Sequence, residues 1–518
     1  MAVRQRVVKI GSCFVDGVLA TLSEIEISLS PGIPTFDIIG LCDSSIRESR
    51  GRIVSAVRSC GYLMPKGHIT VNITPAYMHK SGSGFDLPIA LGILFLGQHL
   101  PYSDDIRIYA QGELALGGEV KGTPGAIMRL IEAAKSKPDI MLIPEQEINA
   151  AACAGVSCMP VKTLMDVCRI FSEDRYLPEE FPFDIRSDQT PSDVLGISSL
   201  RGQSKASEAL IAACAGMHSI LMLGSPGSGK TMAAGIIKGL LPEPNEFETR
   251  QNMAMMELAG MTGGDICPGG RPFRRLYSNT TAARLFGKSN TLVPGELALA
   301  NNGVLFADEI CEFDRNIIDM LKLPLEEHVV RICKDGSYRD LPASFLFACA
   351  GNPCRCGMYY EEGTKCRCTP ADRSRYLGRL SGAFLDRIDL FTEMRSVSSP
   401  DMESLTSGLT EEDIKTDEEA RARIKRAWDM QSRRFNWRPD APKIFNGTCE
   451  KVDQDIFAFD EDVASFASEA AKRSGLSGRG YLKLMRVART FADMEGKEVM
   501  DRMHVRLALT YKVNENAI

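Results

Sequence analysis

The stretch SILMLGSPGSGKT, Ser219 to Thr231, decides the reading of this chain. Ser219 to Leu223 is apolar enough to predict a buried strand, and the strand breaks into a glycine-rich loop. The loop fits G-x-x-x-x-G-K-S/T, with Gly224, Gly229, Lys230 and Thr231 on the fixed positions and Ser225, Pro226, Gly227 and Ser228 between them. Glycines let such a backbone curl until several N–H groups face one concavity, which suits a polyphosphate. The following MAAGIIKGLL predicts a helix whose positive N-terminal end faces the same place. In that geometry Lys230 reaches the β- and γ-phosphates of ATP, and the Thr231 hydroxyl ligates Mg²⁺. The alternative is a glycine-rich turn that holds no ligand.

At 518 residues the chain is long for one core and predicts two or three domains. Its 44% hydrophobic and 25% charged residues are those of a soluble globular protein. The longest apolar run, LPIALGILFLG from Leu87, is too short to span a bilayer and predicts a buried helix. The N-terminus, MAVRQRVVKIGSCFVDG, lacks the apolar stretch of a signal peptide, so the 16 cysteines are expected in a reducing cytoplasm. No membrane partner is expected. A net charge of −6 gives no global attraction to nucleic acid, so any such binding needs a local basic surface.

Residues 1–171 alternate β-rich runs (VKIGSCF, ATLSEIEISLS, HITVNIT) with helical ones, an α+β pattern. Residues 172–193, SEDRYLPEEFPFDIRSDQTPSD, are proline-rich and acidic and predict a linker. Residues 194–398 alternate strands and helices as an α/β nucleotide-binding core, and 399–518 read as largely helical.

Two further strands of the core end in polar residues. GVLFADE places Asp308 and Glu309 at the edge where ligands of α/β sheets bind. Asp308 would hold the Mg²⁺ shell, and Glu309 would polarise the attacking water. SFLFACAGN ends at Asn352, which could orient that water or touch the γ-phosphate; an asparagine before Pro353 is also a common turn starter. Arg387 in LSGAFLDRIDL and Arg479 in GLSGRGYLKL are candidates for the guanidinium that stabilises charge on the γ-phosphate.

With these residues the chain resembles the ComM/YifB-type magnesium-chelatase-like AAA+ ATPases. The resemblance runs through GIPTFDIIGLCDSSIRESRGRI, ITVNITPA and SGSGFDLPIALGIL, then GSPGSGKT, RPFR, PGELALANNGVLFADE, GNPCRCG, CRCTP and LSGAFLDRIDL, and finally LSGRGYLKLMRVARTFADMEG. It implies a Lon-protease-like α+β N-terminal domain, a P-loop AAA+ core and a C-terminal helical lid. It also implies a homo-hexameric ring acting as an ATP-driven DNA motor of the ComM type, in branch migration during recombination of incoming strands. Position by position it assigns Lys230 and Thr231 to Walker A, Asp308 and Glu309 to Walker B, and Asn352 to sensor 1. Arg387 matches the arginine finger that reaches a neighbouring subunit's ATP, and Arg479 matches sensor 2. The chain departs from the family after RPFR, where Arg275 to Thr281 (RLYSNTT) replaces a paired-histidine segment, and at Asn301, which replaces a histidine; both are expected around an insert facing the pore.

Aligned with the Lon nucleophile segment, HKSGSGFDLPIAL puts Gly84 in the serine position and Ser83 one residue away, while the lysine position falls near Ile127. A nucleophile displaced by one residue loses its base, so a non-peptidase platform is expected. Cys354, Cys356, Cys366 and Cys368 form CRC…CRC around a short loop; four thiolates at this spacing can close a structural Zn²⁺ site, the alternative being four reduced thiols. HVVRICKDGSYRDLPASF predicts a hairpin turning at Asp335-Gly336. The resemblance places such a hairpin in the ring's pore, where Arg331, Lys334 and Tyr338 could contact DNA phosphates and bases. Arg271, Arg274 and Arg275 of RPFRR are a second set of candidate DNA contacts. Two other functions fit parts of this pattern: a chelatase-type metal-insertion or protein-remodelling ATPase, and an ATP-dependent peptidase.

Overall fold

The computed structural model describes residues 7–16, 19–40, 44–76, 80, 82–182, 195–261, 270–288, 293–334, 337–361, 366–395 and 410–512. The second half of the expected linker, the hairpin turn Asp335-Gly336 and the first residues of the C-terminal segment lie outside this set. The chain forms two compact units, one of residues Met1–Ile185 with Met253–Pro268, the other of Arg186–Asn252 with Gly269–Ile518.

The first unit is built on a seven-stranded mixed sheet. Its strands are β1 (Val7–Asp16), β2 (Leu19–Ser30), β3 (Thr35–Ile39), β4 (His68–Ile73), β5 (Ile108–Ala110), β6 (Ile140–Pro144) and β7 (Met159–Val161), in the order β3-β4-β2-β1-β5-β6-β7. β1, β2 and β4 pair antiparallel, and the β5-β6-β7 side is parallel. Helix α1 (Ser44–Ser59) precedes β4, and α2 (Asp86–Leu96) carries the apolar run. Every residue of α2 is buried, which is why its pattern lacks a polar face. Its first residue, Asp86, is buried too; burial pushes that carboxyl up, opposed by Arg52, whose Nε donates at 2.7 Å. Helix α3 is Ala126–Lys135.

The second unit holds five parallel strands: β8 (Ile220–Gly224), β9 (Phe273–Leu276), β10 (Val304–Ala307), β13 (Leu346–Gly351) and β14 (Leu390–Met394). Between β10 and β13 the chain makes an antiparallel hairpin of β11 (Val329–Lys334) and β12 (Ser337–Pro342). The sheet order is β9-β10-β13-β8-β14. β8, β10 and β13 are buried at every position, as expected of parallel strands covered on both faces. Helices α4 (Ser204–Gly216) and α5 (Lys230–Leu240) flank β8, and α6 (Glu246–Leu258) and α7 (Arg315–Glu327) follow in the chain.

The C-terminal region is helical, as the sequence predicts: α8 (Glu411–Arg434), α9 (Glu461–Arg473), α10 (Gly478–Glu495) and α11 (Arg502–Thr510). A buried polar network ties these helices to the core. Arg434 makes a bidentate pair with Asp493, which also accepts from Arg489 Nε at 3.1 Å and Asn446 Nδ2 at 2.8 Å. Thr490 bonds His218 Nε2 at 2.7 Å, two residues before β8. Among the described residues, no helix is long and apolar enough to cross a membrane.

Candidate functional site

Three strand ends converge. β8 runs into the glycine-rich loop, β10 into Asp308-Glu309 and β13 into Asn352, all at the C-terminal edge of the sheet. Gly227 and Gly229 take the left-handed conformation, φ +80° and +85°, which a Cβ would strain. A Cβ on Gly224 would lie 2.4 Å from the Met394 carbonyl oxygen, so only glycine fits where the loop begins. Gly229 hands directly to α5, whose first residue is Lys230.

Lys230 turns back over the loop, its Nζ donating to Gly224 O and Ser225 O at 2.7 Å each and lying 3.4 Å from Asn352 Oδ1. Burial pulls its pKa down, against the upward pull of Asp308 and Glu309. The Thr231 hydroxyl donates to Asp308 Oδ2 at 3.3 Å. The other Asp308 oxygen accepts the Glu309 N–H at 3.0 Å. Glu309 itself is exposed and holds φ +54°, a conformation costing about 1–3 kcal/mol in a residue with a side chain. The strain sets Glu309 apart from the strand direction, beside the paired Thr231 and Asp308. These residues fit a Mg²⁺–triphosphate: the loop carries a buried Ser225 hydroxyl with no hydrogen-bond partner, an ammonium resting on its own carbonyls, and a hydroxyl–carboxylate pair of the kind Mg²⁺ takes.

The two candidate arginines lie elsewhere. The Arg387 carbonyl accepts from Ser219 Oγ at 2.8 Å, at the start of β8, whereas the loop follows its end. The five residues of β8 put about 16 Å between those points. The Arg387 side chain donates to Ala383 O at 2.6 Å, Lys322 O at 3.1 Å and Glu326 Oε2 at 2.7 Å. Arg479 Nη2 meets the other oxygen of the same carboxylate, Glu326 Oε1, at 2.6 Å. One glutamate on α7 thus holds both guanidiniums at the edge of the sheet away from their own chain's loop. Glu326 carries no motif, and nothing in its local sequence signals this role.

Of the expected DNA contacts, the RPFRR arginines prove to be committed within the unit. Arg271 is buried, its guanidinium given to Glu248 at 3.2 Å and to the Asn302 carbonyl, which leaves no surface for a phosphate. Arg274 pairs with Glu296 at 2.6 Å, and Arg275 pairs with Asp308. Asn301, expected near the pore, is buried, and its Oδ1 accepts the Ser344 N–H at 2.9 Å just before β13. On the hairpin, Arg331 is exposed but paired with Asp340 at 2.9 Å, while Tyr338 is 68% exposed. The side chain of Lys334 lies outside the described residues.

The four cysteines come together. Their sulfurs all lie within 4.8 Å of one another, and the Cys354–Cys356, Cys356–Cys366 and Cys354–Cys366 separations are 3.4, 3.5 and 3.7 Å. A tetrahedron with 2.3 Å Zn–S bonds has edges of about 3.8 Å, so the donor set fits Zn²⁺. Backbone N–H groups of Met358 and Arg367 hold the Cys356 thiolate down, to about 6, and burial pushes the Cys354 thiol up to about 12. A Cβ on Gly357 would lie 2.6 Å from Pro226 Cδ, so this cysteine knuckle rests against the glycine-rich loop.

In the first unit a Cβ on Gly84 would lie 2.0 Å from Gln111 Nε2. Gln111 fills the place a serine side chain would need, and its Oε1 accepts from Ser12 Oγ at 2.8 Å. The Ser83 hydroxyl is bonded to Glu113, and Ile127 is buried. Gln111 was not legible as a plug, because it is distant in sequence from the segment it blocks.

Comparison with known proteins covers nearly the whole chain. Residues 196–402 match the family described as magnesium chelatase, subunit ChlI, residues 25–147 match subunit ChlI of Mg-chelatase, and residues 415–512 match the ChlI C-terminal family. The chain is 33% identical over 500 residues to the competence protein ComM of Haemophilus influenzae, covering 96% of this chain and 95% of that one. It is 33% identical over 496 residues to YifB of Escherichia coli, with 96% and 95% covered. The magnesium-chelatase 38 kDa subunit of Rhodobacter capsulatus is 26% identical over 354 residues, 63% of this chain and 89% of that one.

Proposed function

Because this chain belongs to the magnesium-chelatase-like AAA+ family of ComM and YifB, we propose that it hydrolyses ATP at a site shared between neighbouring copies and uses the energy to drive DNA. The observation that carries this reading is the separation of Arg387 and Arg479 from their own glycine-rich loop, at opposite ends of β8. A phosphoryl-transfer site without an arginine is slow, and an arginine supplied by another chain is worth about three to five decades in rate. A closed homo-hexameric ring would place each arginine pair at the next subunit's loop.

In that site the loop amides and Lys230 hold the β- and γ-phosphates, and Thr231 and Asp308 hold the metal. Mg²⁺, when bound, draws charge from the phosphate oxygens. Glu309 accepts the proton of the attacking water, and Asn352, beside Lys230, positions that water against the γ-phosphate. Arg387 and Arg479 of the adjacent copy leave Glu326 and stabilise the charge developing on the γ-phosphate oxygens. The cysteine knuckle binds structural Zn²⁺ and braces the loop through Gly357 and Pro226.

For the work done, the full-length match to a competence protein favours the ComM-type role, DNA branch migration, over metal insertion, since the magnesium-chelatase subunit matches a smaller share of the chain. The exposed Tyr338 on the hairpin, with Arg331 and Lys334, forms the candidate DNA contact. The filled Gly84 position argues against peptidase activity. The test is ATPase and branch-migration assay of wild type beside Lys230→Ala and Arg387→Ala. DNA-stimulated ATPase and migration lost in both variants support the proposal. Migration that survives both, or ATPase indifferent to DNA, overturns it.

A further inference from the structure

We propose that Arg275 competes with the metal ion for Asp308: it pairs with the carboxylate oxygen that would ligate Mg²⁺, and it must be displaced before Mg²⁺–nucleotide can seat. This rests on the ATP-site reading above and deepens it. β9 pairs with β10 in the register Arg275↔Phe306 and Leu276↔Ala307, so Arg275 stands beside the strand that ends at Asp308. Its Nη2 pairs with Asp308 Oδ2, the same oxygen that accepts from Thr231 Oγ1. The atom that Mg²⁺ would ligate together with the Thr231 hydroxyl is therefore already held by a cation.

Both cations cannot keep that oxygen. Mg²⁺ demands its ligands at about 2.0–2.1 Å in a tight octahedron, and a guanidinium on the same lone pairs adds like-charge repulsion. Arg275 is built to let go. Among the described residues it makes one ion pair and its Nε has no hydrogen-bond partner, and its side chain is 37% exposed. Aromatic faces wait beside it, with the guanidinium carbon 5.2 Å from the centre of the Tyr277 ring and 5.8 Å from that of Phe306. These can retain the cation after it leaves the carboxylate. Arg271 also lies over a ring, that of Trp428 at 5.1 Å, but it is buried and further bonded to the Pro242 and Asn302 carbonyls beside its pair with Glu248, while Arg274 pairs with Glu296.

The consequence is a threshold: the Mg²⁺ concentration that closes the site is set by competition with Arg275. The experiment uses the full-length chain carrying Glu309→Gln, so that nucleotide persists, and follows binding of a fluorescent ATP analogue across a Mg²⁺ titration. Arg275→Gln is expected to lower the half-saturating Mg²⁺ about three- to fivefold, the strength of a partly exposed ion pair. Arg275→Lys, which keeps the charge, stays near the parent. A Mg²⁺ curve unmoved by Arg275→Gln, or moved to higher Mg²⁺, overturns the proposal. Adding Lys230→Ala separates the two readings. If that change leaves binding intact, the ATP site itself is misassigned. If it abolishes binding while Arg275→Gln shifts nothing, the competing role of Arg275 alone fails.

Discussion

Two inactive variants of this protein should restore each other. Lys230→Ala removes the cation that holds the phosphates but leaves Arg387 and Arg479 in place; Arg387→Ala does the reverse. Since β8 holds the two halves about 16 Å apart within one chain, neither variant can complete a site by itself. In rings assembled at random from equal amounts, a site is whole when its loop comes from an Arg387→Ala chain and its arginine from a Lys230→Ala chain. That is about one site in four, so the mixture should hydrolyse ATP at roughly a quarter of the wild-type rate. The parents contribute almost nothing, because loss of the arginine alone lowers the rate by about three to five decades. The assay is steady-state phosphate release after the two proteins are co-assembled in nucleotide, across a series of mixing ratios, with a maximum at equal amounts. A mixture that never exceeds the sum of its parents, or an Arg387→Ala protein with wild-type turnover, refutes the shared-site argument.

Three more outcomes are expected. Asp493→Asn keeps the shape of the buried network but strands Arg489 and Arg434; breaking such a pair costs about 3–5 kcal/mol, a fall of about 6–20 °C in the melting transition followed by calorimetry. A drop under about 3 °C would show the network to be solvated. Gly84→Ser pushes a side chain into Gln111, should cost about 1–3 kcal/mol through overpacking, and should yield no casein cleavage; a cleaving variant would reinstate the peptidase reading. Purified protein is expected to carry about one Zn²⁺ per chain. Its removal by a chelator, or Cys356→Ser with Cys366→Ser, should weaken nucleotide binding through the Pro226 contact. Metal-free protein that binds nucleotide as well as wild type argues for four reduced thiols.

Much of the core was legible because its signals are local. The run from Ser219 to Thr231 carries strand, loop and helix start in consecutive residues, and strands ending in Asp308 and Asn352 are read from four to six apolar residues each. Helix α2 was visible for a related reason, a continuous apolar run flanked by glycines. What escaped depended on partners far along the chain. The arginines of RPFRR look like a basic surface in sequence, yet each finds its own carboxylate, Glu248, Glu296 or Asp308, at separations the sequence does not encode. Gln111 beside Gly84 and Glu326 between Arg387 and Arg479 are the same kind of fact: ordinary residues given meaning only by folding.

The sharing of Glu326 bears on how copies of the chain could come together and part. Within one chain the two guanidiniums share one carboxylate, Arg387 mostly buried and Arg479 still open to water. On the shared-site proposal, docking beside a nucleotide-bearing neighbour would exchange one anion for another, so the cost of leaving the carboxylate would be offset by the phosphate gained. Contacts made by such substitution gain little when they form and lose little when they break, which suits a machine whose joints must loosen and re-form at every cycle.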